Sequence, residues 1–159
     1  MIKNYLWIFF ISMVPLIELR GAIPVSQALQ MPIIPSYIVS IIGNMLPVPV
    51  IYFFARKVLE WGADKKFIGK IFTAILVKGT NAGQKIQEKA GKGFFIALFL
   101  FVGVPLPGTG AWTGTLAASL LGVSFKETVI AVILGVLLAG LIMMAGSLGL
   151  FTALFAISG

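Results

Sequence analysis

The sequence predicts an all-α integral membrane protein in which two re-entrant helical hairpins and two transmembrane helices form an inverted repeat. The first observation is composition: 59% of the 159 residues are hydrophobic, 11% are charged, and the mean hydropathy is +1.06. A soluble domain with this much apolar surface would aggregate. The second observation is that short apolar segments, interrupted by prolines and glycines, alternate with long uninterrupted ones. The length suits a single membrane domain.

The residue types that are missing exclude several kinds of chemistry. The chain has no Cys and no His, which excludes disulfides, thiol nucleophiles, imidazole bases and Cys/His metal sites. Of five acidic residues, only Glu18 lies inside an apolar segment, which disfavours a carboxylate metal cage. We therefore expect no enzyme activity, no metal, no cofactor and no nucleic-acid partner.

The apolar segments differ in length. Crossing the hydrocarbon core takes roughly 20 helical residues. Tyr37–Ala55 and Val129–Ile157 are long enough, whereas Asn4–Ile17 and Phe94–Val104 are not. No small-residue cleavage site follows the first apolar run, so we expect it to remain in the mature protein rather than to be a signal peptide.

Each short segment is followed by helix breakers and a second short apolar segment. The breakers are Pro15 through Pro24 in the first half and Val104–Gly114 in the second. The returning segments are Val25–Met31 and Thr115–Val123. This order is typical of a re-entrant hairpin, which enters the membrane and returns to the same side. Irregular backbone at that depth must be covered by protein or line a water-filled cavity.

The two breaks resemble each other, which suggests a duplicated unit. Val14–Leu16 and Val104–Leu106 both read Val-Pro-Leu. Broken segments at matching positions of two halves indicate a transporter binding site. The predicted segments are a first re-entrant hairpin (1–35), a transmembrane helix (36–56), a basic cytoplasmic or interfacial segment (57–92), a second re-entrant hairpin (93–123) and a transmembrane helix (124–159).

The charge distribution predicts the orientation. Nine of the twelve Lys and Arg residues lie between Arg56 and Lys92, so this segment should be cytoplasmic. Within it, Phe67–Val77 is too short to cross and is flanked by lysines, which favours an interfacial amphipathic helix. One crossing would then separate the hairpins, which would enter from opposite sides. We expect a multi-pass protein of the cytoplasmic membrane, surrounded by membrane lipids.

Glu18 and Arg20 are the charges to explain in the first break. Residues two apart on an α-helix point about 200° apart, so one of them would face lipid. A charge at that depth costs at least ~2.5–3.5 kcal/mol. In an extended turn both side chains could face an interior cavity, so the spacing favours an extended, unwound segment. The alternative is a kinked helix in which the pair only stabilises the fold.

The second break predicts an anion site. A short helix that starts near Ala111, with Thr109 or Gly110 as N-cap, would point free N–H groups at the membrane centre. Pro24 suits the first position of the returning helix of the first hairpin. Two helix N-termini together with Arg20 would suit a carboxylate or a phosphate.

Three further features have two readings each. Asn44 either bonds to backbone carbonyls freed by Pro47 or lines a cavity with Glu18. Trp112 either stacks on a ligand or, more often for such residues, serves packing or the interfacial belt. The last span carries small residues whose spacing is typical of helix packing, with a homodimer interface as the alternative. These small residues are Gly135, Ala139, Gly140, Ala145, Gly146 and Gly149.

Three ordered motifs, "PLIELRGAIP", "IIGNMLPVP" and "PLPGTGAWTG", closely resemble the family of small multidrug export proteins, related to the DedA/VTT superfamily. The resemblance covers essentially the whole chain and implies inverted re-entrant hairpins and transport. In DedA relatives, similar positions serve proton-coupled movement of lipid phosphates. The implied site positions are Glu18, Arg20, Pro105, Pro107, Gly108 and Gly110. Thr109 stands where DedA proteins typically carry an acid, so a two-carboxylate mechanism is not implied.

These observations together predict a transporter rather than an enzyme. The expected substrate is anionic or amphipathic, of the lipid-phosphate type, and its movement is coupled to protons through Glu18. Two alternatives stay open: a structural or assembly protein in which Glu18 and Arg20 are a folding staple, and a small-molecule drug exporter. A channel ranks below these because few polar residues are available to line a pore.

Overall fold

The computed structural model describes residues 2–74, 76–77, 81 and 92–158, with side chains as far as Gly149. Within these residues the secondary structure is helical and contains no strand, as predicted. The helices are α1 (Ile2–Met13), α2 (Glu18–Ala28), α3 (Ile33–Met45), α4 (Pro47–Ala63), α5 (Lys92–Gly103), α6 (Ala111–Leu120) and α7 (Phe125–Ser158).

Two helices are long and apolar enough to cross a membrane, as the sequence predicts. α3 and α4 join at Leu46, which keeps helical φ and ψ, into a 31-residue helix that contains an 18-residue window with a mean hydropathy of 1.9. In α7, the 25 residues Phe125–Gly149 contain an 18-residue window with a mean hydropathy of 2.7. Both exceed the roughly 20 residues that a crossing requires.

The remaining labelled helices are short. α1 and α5 have 12 residues each, which at ~1.5 Å per residue is well under the thickness of the hydrocarbon core. α2 and α6 have 11 and 10 residues. In each half the order is therefore a short helix, a break, a second short helix and a long helix.

The first break does not contain the charged pair, contrary to the extended segment predicted there. The chain reverses within residues 14–17, where the Glu18 N–H donates to the Val14 carbonyl at 3.0 Å. Leu16 and Glu18 have φ values of +73° and +52°, which complete the reversal and allow the helix to resume at once. Glu18 and Arg20 consequently lie in the first turn of α2.

Pro24 was also predicted wrongly as the first residue of a helix. It lies inside α2, six residues after the start at Glu18. A proline there removes the N–H that would bond to the carbonyl of Arg20, yet the helix continues through it to Ala28. The packing of α2 against α1, α3 and α7 outweighs the local preference for a break at Pro24.

α7 packs against α2, α3, α4, α5 and α6 and so connects the two halves. The predicted packing role of its small residues is confirmed at two positions. A Cβ on Gly135 would lie 2.6 Å from Cβ of Val102 in α5, and one on Gly140 would lie 2.2 Å from the Tyr37 ring in α3. Only glycine permits these approaches.

Much of the basic segment predicted at 57–92 lies outside the described residues. Of Phe67–Val77, residues 69–74 and 76–77 are helical, and Phe67 is almost fully exposed. Its interfacial position stays a prediction.

Candidate functional site

The second break, between α5 and α6, is the centre of the site. Pro105 and Pro107 lack backbone N–H groups, so α5 cannot continue through them. Gly108 and Gly110 have φ values of +80° and +143°, conformations that side chains other than glycine rarely adopt. The chain resumes as a helix at Ala111, as predicted, with Gly110 as the N-cap.

Glu18 binds the N-terminus of α6. Its carboxylate accepts hydrogen bonds from the backbone N–H groups of Ala111 at 3.3 Å and Trp112 at 3.0 Å. The residue is 4% exposed. A Cβ on Gly110 would lie 2.3 Å from one carboxylate oxygen, so glycine is needed there for space as well as for conformation. The free N–H groups and the helix dipole stabilise the carboxylate at this position.

Arg20 binds the other side of the same break. Its Nη1 donates to the carbonyls of Leu106 at 2.6 Å and Thr109 at 2.7 Å. Its Nη2 donates to the carbonyls of Val102 at 3.1 Å and Val104 at 3.3 Å. The last carbonyls of a helix have no partner within the helix. The guanidinium supplies partners for those at the end of α5 and in the break.

The two charges therefore bind separate helix ends rather than each other. Within the described residues the ion pair is Arg56–Glu60, and the carboxylate of Glu18 and the guanidinium of Arg20 form none. Glu18 binds N–H groups at the start of α6, and Arg20 binds carbonyls at the end of α5 and in the break.

Thr109 and Trp112 also stabilise the breaks. The Thr109 hydroxyl donates to the carbonyls of Val104 and Leu106, so it stabilises the loop of the second break and does not cap α6. The indole N–H of Trp112 donates to the carbonyl of Met13 at 3.0 Å, which ends α1. The second short helix of each half thus carries a donor that binds the end of the first short helix of the other half.

An apolar groove of about 680 Å³ leads away from Glu18 between the first break, α4 and α6. Glu18 and Trp112 line one end of this groove, near the start of α6. The walls are apolar side chains, with Val50, Phe54 and Val58 on α4. Sequence reasoning missed this wall, although the spacing of four residues indicates one helix face.

Asn44 is buried at the end of α3 but does not line the groove. Among the described residues, its side-chain oxygen has no hydrogen-bond partner. The structure therefore brings together Glu18, Arg20 and residues 105–112 in one site and leaves Asn44 outside the groove.

One comparison with known proteins identifies the family of the chain. A family model described as "Putative small multi-drug export protein" matches residues 18–142. The chain belongs to this family. The matched segment begins at Glu18 and includes both sides of the site and most of α7. No curated protein and no solved structure matches the chain. The family name and the apolar helices indicate a membrane transport protein, and the relation to the DedA/VTT superfamily stays a prediction.

Proposed function

We propose that the protein transports amphipathic molecules across the membrane, with the apolar groove holding the substrate body and Glu18 exchanging a proton for the polar head. One observation carries this proposal: an apolar groove of about 680 Å³ has a buried carboxylate at one end. Its volume lies within the ~300–1,000 Å³ range of small-molecule sites.

The re-entrant, inverted arrangement is part of this proposal. It is supported by the short helix, break, short helix, long helix order of both halves and by the contacts that each returning helix makes across to the other hairpin. Half-helices that meet near the membrane centre would place Glu18 at a depth accessible to substrate from either side.

A cationic or hydrogen-bond-donating head suits the site best. The carboxylate of Glu18 has two oxygens with about four acceptor positions, and two of these accept the N–H groups of Ala111 and Trp112. The others are available to a ligand in the groove. A cationic head binds the ionised carboxylate, and protonation removes that charge and releases the head. Proton entry would thus be exchanged for substrate exit.

A lipid phosphate is the second candidate, and one observation favours it. The N–H groups that bind Glu18 form a helix N-terminus, which is also a favourable phosphate site. If protonation displaced Glu18, a phosphate could bind there. Arg20, which the sequence suggested as an anion ligand, donates to four carbonyls instead and would have to leave them. These four hydrogen bonds favour a role for Arg20 in stabilising the fold rather than in binding an anion.

The test is transport by the purified protein in liposomes with an imposed pH gradient. Uptake of the lipophilic cation tetraphenylphosphonium and flipping of a fluorescent short-chain lipid phosphate would be measured in parallel. We expect cation movement that Glu18→Gln abolishes. Glu60→Gln is the matched control because Glu60 is an exposed carboxylate paired with Arg56 near the end of α4.

The outcomes separate the candidates. Lipid-phosphate movement alone, lost in Glu18→Gln, would select the second candidate. If neither probe moves while the protein remains folded, the transport proposal is wrong and a structural or assembly role is favoured.

A further inference from the structure

Three buried side-chain oxygens have no hydrogen-bond partner within the described residues. They are Oγ of Ser40, Oδ1 of Asn44 and Oγ1 of Thr115. The three residues are 0%, 2% and 0% exposed. Buried polar atoms are nearly always satisfied by protein or by ordered water, so these three atoms indicate partners that the chain itself does not supply.

The α2–α3 hairpin places Asn44 level with Glu18. Residues 29–32 join these helices, which pack against each other, and so short a link makes them antiparallel neighbours. Glu18 lies ten residues before the end of α2 at Ala28, and Gly43 lies ten residues after the start of α3 at Ile33. Equal rise per residue brings the end of α3 to the first turn of α2.

The contact between α4 and α6 extends this level to α6. The hydroxyl of Ser119 donates to the carbonyl of Tyr52 at 2.7 Å. Both helices run away from the level of Glu18, so they are parallel. One helical turn before this contact, Thr115 of α6 lies level with Val48 of α4. One further turn before it, Ala111 of α6 lies level with Asn44 of α3. Ala111 is the residue whose N–H binds Glu18.

The three oxygens therefore lie at successive helical turns. Ser40 is one turn before Asn44, and Thr115 is one turn beyond it, so the set spans about 12 Å. Ser40 and Asn44 share a face of α3 because they are four residues apart, and Thr115 shares with Ser119 the face of α6 that contacts α4. The set therefore spans the level of the Glu18 carboxylate along the helix axes.

We propose that ordered water molecules bind Ser40, Asn44 and Thr115 and form the route by which protons reach Glu18. This inference rests on the proposed proton exchange at Glu18. Water suits the site because its three oxygens are neutral and belong to groups that can accept a hydrogen bond. A bare cation bound to these three oxygens would need charge compensation, which neutral hydroxyl and amide groups do not supply.

The helices packed against α2 carry five other charged or titratable side chains. They are Lys3 and Tyr5 of α1, Tyr37 of α3, and Lys126 and Glu127 of α7. The Tyr37 hydroxyl donates to the carbonyl of Leu137, and Glu127 accepts from Ser124. Arg20 is bound to the carbonyls of the second break. Glu18 is thus the proton-exchanging group that this water route serves.

The test follows deuterium exchange of the Glu18 carboxyl group in the full chain, reconstituted in nanodiscs. Its infrared C=O band would be recorded at low pH and assigned by its loss in Glu18→Gln. We expect the triple variant Ser40→Ala, Asn44→Leu, Thr115→Val to slow exchange by about tenfold or more, since the loss of even one hydrogen bond has roughly that effect. The control is Ser36→Ala with Ser119→Ala, because both hydroxyls already have protein partners.

A second measurement guards against a triple variant that does not fold. In the native protein with a labelled Thr115 methyl group, a nuclear Overhauser effect from long-lived water to that methyl is expected. Unchanged exchange in a folded triple variant, absence of the water signal, or a saturable effect of sodium on the native exchange rate would each overturn the proposal. Neither measurement needs a substrate, so the two proposals can fail separately. A site without bound water together with Glu18-dependent transport would refute the water route alone. A hydrated site without transport would refute the proposed function.

Discussion

Gly110→Ala should be far more damaging than Gly108→Ala, although both glycines have positive φ in the same seven-residue break. Gly110 lies in a region of φ and ψ that is essentially restricted to glycine, at +143° and −173°. A residue with a side chain costs about 1–3 kcal/mol there. At Gly108, with φ of +80°, the corresponding cost is about 1–2 kcal/mol, and nothing lies within 4 Å of an added Cβ.

The larger difference comes from Glu18. A Cβ at position 110 would lie 2.3 Å and 2.7 Å from the two carboxylate oxygens, so the carboxylate must leave the N–H groups of Ala111 and Trp112. Losing hydrogen bonds to a charged group costs about 1.5–3 kcal/mol. The total for Gly110→Ala is then about 2.5–6 kcal/mol.

The assay is reversible unfolding in mixed micelles, followed by the fluorescence of the three tryptophans. The decisive comparison repeats Gly110→Ala in a Glu18→Ala background, where only the backbone strain of about 1–3 kcal/mol should remain. Equal losses for Gly108→Ala and Gly110→Ala, or the same cost for Gly110→Ala in both backgrounds, would refute the assigned contact between Glu18 and α6.

Three other predictions concern the hydrogen bonds of Arg20, the apolar groove and the membrane topology. Arg20→Lys should destabilise the protein by about 2–4 kcal/mol in the same unfolding assay, because an ammonium cannot reach four carbonyls in a planar fork; a loss under 1 kcal/mol would contradict this role. Val58→Trp should fill the groove and inhibit transport without reducing stability, and full activity in that variant would exclude the groove as the substrate path. Single cysteines at Gln30 and Ser158 should react with an impermeant reagent from outside, and one at Gly83 only after permeabilisation. Labelling of Gln30 and Gly83 from the same side would refute the inverted arrangement.

The sequence predicts most of the secondary structure because the strongest signals are local. Prolines and glycines in residues 104–110 end α5, and the start of α6 at Ala111 follows from them. The two long helices follow from apolar runs that exceed the membrane thickness. Pro24 shows the limit of such signals, since tertiary packing keeps α2 helical through it.

The partners of the charged side chains could not be predicted in the same way. Arg20 binds carbonyls that are 82 to 89 residues away in the sequence, and no local pattern encodes this pairing. The prediction of an extended segment assumed that both charges face one cavity. In the structure each charge binds a different helix end, so a helical first turn satisfies both.

The hydrogen bonds that each half donates to the other have a consequence for biogenesis. The end of α1 is bound by Trp112, which is synthesised 99 residues after Met13, and Arg20 emerges from the ribosome long before the carbonyls it binds. A nascent first half therefore enters the bilayer with an unmatched guanidinium and exposed helix ends, a state that lipid penalises. We therefore expect the first half, expressed alone, to be less stable in the membrane than the full chain, because the second half supplies the partners of Arg20 and of the end of α1.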